Sequence, residues 1–323
     1  MIAILIIVLV VIFAFLLNEY YYRIAGDYTQ DFHMRKGEKG GPYDAISFGS
    51  AYCRFGLDFS DCEIRGYNFG YGSQFFYYTN LMLHQYAKTC KKGGVVYLII
   101  ADLVFAKVGK GIYGSDEYIK FLDKDLLGDE YSSKAYIKSR FPVLFNPRLV
   151  TRCVKKMLRM TKPTEFETLE SNRLSEKQVE EEADKRCKSW CRQFDLSDTV
   201  GGNTHKELED TFVETRRILT SMIQFCLDSG LKPVLVVTPV SKNMNVRLSD
   251  AFINRMLFDN IRIANKQHVP LMNYLRDERF SDYTLYYNNA DFLNARGRKL
   301  FTEVLVSDTK KIIDNENRNT DIS

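Results

Sequence analysis

From Met1 to Leu17 the chain carries no polar side chain. A helix over this run, at about 1.5 Å per residue, spans about 25 Å, slightly short of a bilayer's hydrocarbon core. Its start holds no Lys or Arg, and Asn18-Glu19-Tyr20-Tyr21 is a poor cleavage site. The pattern therefore predicts an uncleaved single-span membrane anchor over 1–19 rather than a removable leader. Phe13, Phe15 and the cluster Tyr20-Tyr21-Tyr22 would sit near one membrane interface. Residues 20–42 are polar and glycine-rich, ending Gly-Glu-Lys-Gly-Gly-Pro, which is the composition of a stalk.

From residue 43 onward short apolar runs alternate with helical periodicity. Residues 44–49 read as a buried strand that breaks at Gly49-Ser50, and 64–74 as a second strand running into a glycine-rich turn. Phe75 to Thr89 has a helical apolar period, and Gly94 to Ala101 is a continuous apolar run buried on both faces. Leu208 to Ser229 is an amphipathic helix ended by Gly230. Leu231 to Thr238 is a strand closed by Pro239, 249–267 a helix, Val269 to Tyr274 a last strand, and 289–307 a loop leading into a final helix. Between these halves, from about 107 to 200, charges are dense and strands absent, and Glu165 to Lys188 reads as an exposed helix. The expectation is one α/β domain over 43–323, a three-layer sandwich around a parallel sheet with right-handed crossovers, interrupted by a mainly helical insertion.

Charge and composition narrow the chemistry. Lys and Arg number 45 against 41 Asp and Glu, a net +4 with signs mixed throughout. No nucleic-acid footprint follows. Seven cysteines, an odd number without tight spacing, do not form a disulfide framework. Cys187-x-x-x-Cys191 with His205 falls short of the four closely spaced ligands of a structural zinc site, so no metal is expected. Gly70-x-Gly72 lacks the later glycine and lysine of a phosphate loop, and no cofactor is expected. Arg23, Arg35, Lys36 and Lys39 follow the apolar run while nothing basic precedes it. Charge bias alone thus favours a cytoplasmic body.

Three pieces together resemble the SGNH (GDSL-type) hydrolase superfamily. They most resemble its membrane-anchored branch, which includes the D-alanyl transfer protein of teichoic-acid modification and the alginate acetylation proteins. Phe48-Gly49-Ser50-Ala51 stands at the place of the Gly-Asp-Ser block. Asn68-Phe69-Gly70-Tyr71-Gly72-Ser73-Gln74 stands at the block that supplies an oxyanion-hole amide. Asn289-Ala290-Asp291-Phe292-Leu293-Asn294-Ala295-Arg296-Gly297, followed by Phe301-Thr302, is similar to the Asp-x-x-His-Leu-Asn-x-x-Gly end block. The resemblance covers about 43–106 and 200–307. It implies a flavodoxin-like sandwich with its site at the carboxyl edge of the sheet.

All three chemical positions are replaced. A serine hydrolase needs a nucleophile, an imidazole to take its proton and a carboxylate to orient that imidazole. On the family's pattern these fall on Ala51, Phe292 and Asn289, none of which can play its part. Ser50 lies one residue from the lost serine and Asp291 beside the lost histidine, which makes them the fallback pair. A carboxylate is a weak base toward a hydroxyl, however, and Asp291 is expected to cap the final helix instead. The four histidines, His33, His84, His205 and His268, all lie outside the end block. Cys53 is read as a buried inert thiol rather than a displaced nucleophile.

The resemblance then implies a pseudoenzyme: a membrane-anchored binding or accessory component of cell-envelope polysaccharide modification or assembly. Its partners would be the membrane, a membrane O-acyltransferase and an acylated envelope glycan. The expected pocket comprises Gly49, Ser50, Asn68, Gly70 and Gly72. The resemblance also implies an extracytoplasmic body, against the charge bias. Two alternatives stand beside it: an active acyl esterase or O-acyltransferase using Ser50 with a non-standard base, and a structural scaffold acting through 107–200.

Overall fold

A computed structural model of the chain describes residues 2–21, 30–72, 74–101, 103–110, 118–158, 174–287 and 289–320. In chain order its first helices are α1 (Ile2–Tyr20), α2 (Gln30–Gly40), α3 (Ala51–Gly56), α4 (Phe76–Tyr86), α5 (Lys124–Leu127), α6 (Ser133–Arg140) and α7 (Pro142–Phe145). Then follow α8 (Pro147–Met157), α9 (Glu176–Phe194), α10 (Lys206–Asp228), α11 (Lys242–Asn245), α12 (Asp250–Ile253), α13 (Asp259–Ala264) and α14 (Ala295–Thr320). Two compact units contain them: 1–39 with 111–168, and 40–110 with 169–323.

The larger unit is α/β. Its strands β1 (Tyr43–Phe48), β2 (Gly66–Asn68), β3 (Cys90–Ile100), β4 (Lys232–Val237) and β5 (Leu271–Asn273) form one parallel sheet in the order β2-β1-β3-β4-β5. Ile46 lies opposite Val96, Leu98 opposite Leu235, and Val236 opposite Met272. The runs 96–100 and 233–237 are buried throughout, as parallel strands covered on both faces must be. Alternate residues serve different faces. Ala45, Tyr97, Ile99, Val234, Val236 and Met272 join a core completed by Cys53 of α3 and by Phe301 and Leu305 of α14. Their buried neighbours, among them Ile46, Val96, Leu98 and Leu235, face the layer of α4, α10 and α13. A three-layer sandwich results. The chain steps from β1 to β2 on one side and then back to β3 on the other. Open α/β sheets bind ligands at such a switch point, outside the carboxyl ends of the strands.

The expected insertion over 107–200 divides between the units. Residues 111–168 group with the N-terminal helices and 169–200 with the sheet. Its described residues contain helices and no strand; the helix expected over 165–188 is α9, with 165–173 outside the described residues, but it is not exposed all round, since Val179, Ala183, Cys187 and Trp190 are buried. Within the expected stalk, 30–40 is the helix α2, and 22–29 lies outside the described residues.

Among the described residues no helix is long and apolar enough to cross a membrane. In α1 the run without a polar side chain ends at Leu17, about 22 Å from Ile2. Beyond it Asn18 is buried, its amide donating to the Arg140 carbonyl at 2.9 Å. From Ile4 to Leu16 eleven large apolar side chains of α1 are exposed.

Candidate functional site

The carboxyl end of β1 is held by backbone and amide hydrogen bonds. Phe69 N donates to Ser47 O at 2.8 Å and Tyr71 N to Gly49 O at 3.0 Å, which extends the β1–β2 ladder past the last paired strand residues. Gly49 has φ +154°, and a Cβ there would stand 2.9 Å from the Ile99 carbonyl oxygen. The close approach of β3 to this turn thus requires glycine. Ser50 is half-buried and starts α3 without a capping bond from its hydroxyl; its carbonyl accepts from Cys53 N at 2.9 Å.

Asn68, expected to line the pocket, is committed to backbone. Its Oδ1 accepts from Gly70 N at 2.8 Å, Ser47 Oγ at 3.2 Å and Cys53 Sγ at 3.1 Å. Its Nδ2 donates to the carbonyls of Cys53 at 2.8 Å and Leu57 at 2.9 Å. The Gly70 amide, expected as an oxyanion donor, therefore already has an acceptor. Of the expected pocket, Gly49 and Gly70 are buried, while Ser50 and Gly72 retain partial exposure.

The end block brings its residues to the same edge. Asn289 Oδ1 accepts from Phe292 N at 2.9 Å and Asp291 N at 3.3 Å, closing a tight turn. The Phe292 ring packs against Tyr52 (centroids 4.9 Å apart) and Phe55 (5.4 Å), both on the helix that starts at Ala51. The base position is thus filled by a ring packed against side chains of the helix that begins at the lost nucleophile's position. Asp291 does not cap α14. Its side chain is 2 % exposed; its Oδ2 accepts from Arg186 Nε at 2.7 Å and from Tyr52 Oη at 2.8 Å. The cap belongs to Asn294, whose Oδ1 accepts from Gly297 N at 2.9 Å while its Nδ2 donates to Thr284 and Tyr286 carbonyls. Gly297 is needed because a Cβ would collide with the Leu285 carbonyl. The Leu-Asn-x-x-Gly tail therefore serves the start of α14.

Arg186 comes from α9, which packs on α11 just beyond the carboxyl end of β4 and is also held there by Arg247 to Asp184 at 2.5 Å. Its guanidinium lies 5.1 Å from the Phe292 ring centroid and 5.6 Å from that of Trp190. Burial works against its charge, but the oxygens of Tyr52 and Asp291 outweigh burial and raise its pKa above the ordinary arginine value. No reading of the sequence singled out Arg186 or Tyr52. The available signal was the chain's one tryptophan, four residues after an arginine on one helix face.

None of the three histidines of the larger unit reaches this edge as a base. His84 lies against Phe225 (centroids 3.9 Å apart), and His268 occupies the turn before β5 with φ 53°. His205 is the N-cap of α10, accepting from Leu208 N at 3.3 Å and facing Glu207 at 3.1 Å. Among the described residues no group of three or more His, Cys, Asp and Glu could hold a metal.

Cys53 is fully buried, and burial pushes its thiol up to about 12. At pH 8 only about one molecule in ten thousand would carry the thiolate. Iodoacetamide at that pH is expected to spare Cys53 in the folded chain and to modify it only after denaturation, as read by peptide mass mapping. Modification of Cys53 as fast as an exposed thiol would contradict this.

A cleft of about 740 Å³ opens at the opposite, amino edge of the sheet. Ile64, Val95, Tyr97 and Val306 give it an apolar floor, and Asp44 and Lys91 pair on its rim. No protein-family model matches the chain, and neither does any curated protein.

Proposed function

We propose that this chain is a non-catalytic relative of the SGNH hydrolases, held at a membrane by α1, that serves as a binding or accessory component in cell-envelope polysaccharide modification. The observation that carries the non-catalytic reading is the state of the end block. Phe292 occupies the base position within an aromatic cluster, and the neighbouring carboxylate is bound to Arg186 and Tyr52. A general base must reach the hydroxyl proton it removes, and here the only carboxylate of the block is engaged elsewhere. The strand order, the switch-point turn at Gly49-Ser50 and the end block folded back beside α3 support the family reading. The three motifs support the envelope context. The apolar coat of α1 supports the anchor: a helix apolar all round requires burial or lipid, and bilayers thin locally around a short span.

Fluorophosphonate labelling of the full chain in detergent micelles tests the reading. No adduct on Ser50 is expected, with labelling indistinguishable between the chain and its Ser50→Ala variant. An adduct that maps to Ser50 and disappears in the variant would establish an activated serine and replace the pseudoenzyme by an esterase or acyltransferase.

A further inference from the structure

The smaller unit carries a second feature, distinct from the sheet edge. Residues 131–163 contain nine Lys and Arg and no Asp or Glu; the acids Asp125, Asp129 and Glu130 all precede them. Their described part, 131–158, includes α6, α7 and α8. These helices leave several large apolar side chains outside. Ile137, Leu144, Phe145, Val154, Met157 and Leu158 are between 42 and 63 % exposed. A soluble helix normally turns such residues inward and leaves only scattered ones outside.

The position of these residues matters as much as their number. Val143 and Cys153 pack around Leu17 and Tyr21, with Leu149 and Val150 beside them. The helices α7 and α8 therefore clasp the end of α1 where its apolar coat stops. Asn18, bonded to the Arg140 carbonyl, ties α6 to the same point. The exposed apolar residues of α7 and α8 thus lie on helices packed against the end of the apolar α1. On α8 the basic residues Arg148, Arg152 and Lys155 are exposed as a separate stripe of the same helix. Asn146 caps α8 through Arg148 N at 3.1 Å and Pro147 fills its first turn, so the helix is locally well specified.

We infer that α6 to α8 form an interfacial platform that lies on an anionic bilayer surface, with Leu144, Phe145, Met157 and Leu158 entering the boundary of the acyl chains and the Lys and Arg side chains meeting lipid phosphates. Helices rich in Lys and Arg with exposed aliphatic and aromatic residues bind such surfaces. Each basic residue near an anionic leaflet strengthens attachment by about fivefold. The occupant follows from charge complementarity and from continuity with α1. This inference rests on the proposed membrane association. It adds a headgroup requirement that a hydrophobic anchor alone lacks.

The test uses the full chain carrying Phe145→Trp with Trp190→Phe, so that the single tryptophan reports on the platform. The chain is incorporated into vesicles of phosphatidylcholine alone, or with about one third phosphatidylglycerol, each containing brominated acyl chains, which quench a tryptophan only on contact. Co-flotation with both vesicles is expected, with emission falling about twofold in the anionic ones and little in the neutral ones. In the exposed triple variant Arg148→Glu, Arg152→Glu, Lys155→Glu, flotation should persist and the quenching should vanish, as it should for the unreversed chain at about 1 M salt. Flotation without quenching in anionic vesicles would overturn the platform while leaving the anchor intact. Quenching that is equal in both vesicles and indifferent to charge reversal would overturn its anionic character. Failure to float would overturn both readings.

Discussion

Arg186→Ala is expected to destabilise the α/β unit by about 3 kcal/mol, the lower end of the 3–5 kcal/mol range for breaking one side of a buried ion pair. The lower end applies because Arg186 keeps a third of its side-chain exposure while Asp291 keeps 2 %. Alanine would leave the Asp291 carboxylate buried with Tyr52 as its remaining side-chain hydrogen-bond donor. It would also remove the cation above Phe292 and Trp190, contacts worth about 0.5–2 kcal/mol where the ring and cation are partly desolvated. A loss of about 3 kcal/mol corresponds to roughly 6–12 °C in melting temperature for a domain somewhat larger than 150 residues. The informative comparison is the double variant Arg186→Met, Asp291→Asn. It removes both charges while keeping most of the volume, so it should cost less than Arg186→Ala alone, because the penalty of the single change lies chiefly in the stranded charge. Urea unfolding of the single and double variants measures the difference. If Arg186→Ala cost under about 0.5 kcal/mol, the pair would be a solvated surface contact, and Asp291 would not be committed by it.

What could be read from the sequence, and what could not, follows from the range of the interactions. The strands were visible because a parallel sheet covered on both faces needs uninterrupted apolar runs, and 96–100 and 233–237 are such runs. The turn at Gly49-Ser50 was visible because the chain breaks there in composition as well as in structure. Arg186 was invisible: it sits on a helix otherwise crowded with solvated charges, and its partner is 105 residues away. Asp291 was misplaced for a local reason. It lies close to the start of α14 and has the chemistry of a cap, but Asn294 is nearer to the first turn and takes the role, freeing Asp291 to turn inward. The division of 107–200 between two units was likewise illegible, since both parts share the same charged, strandless composition. The amino-edge cleft depends on residues of β1, β3 and α14 brought together only by the fold.

Asn68→Ala should be about as costly, at about 3 kcal/mol, and for a reason that separates a structural asparagine from a ligand-binding one. The short helix α3 ends with carbonyls that have no helical partner. Asn68 Nδ2 donates to the Leu57 carbonyl and adds a second donor to the Cys53 carbonyl, which also accepts from Leu57 N at 3.2 Å, while Oδ1 accepts the Gly70 amide. Alanine leaves the Leu57 acceptor and the Gly70 donor without this partner in a largely buried region, and each such group costs about 1–3 kcal/mol, softened where water can enter. Asn68→Asp keeps the shape and the acceptor for Gly70 but turns a carboxylate oxygen toward the Cys53 and Leu57 carbonyls. It should therefore be at least as destabilising at neutral pH. Hydrogen exchange would localise the effect: amides from Cys53 to Leu57 and of Gly70 should lose protection well before those of β3 and β4. An asparagine held in place only to meet a ligand would behave oppositely, with stability unchanged in Asn68→Ala and binding lost. That outcome would return Asn68 to the pocket and reopen the carboxyl edge as a site. Loss of stability with local deprotection would instead fix Asn68 as the clamp that joins β2, the Gly49 turn and α3 into one rigid corner.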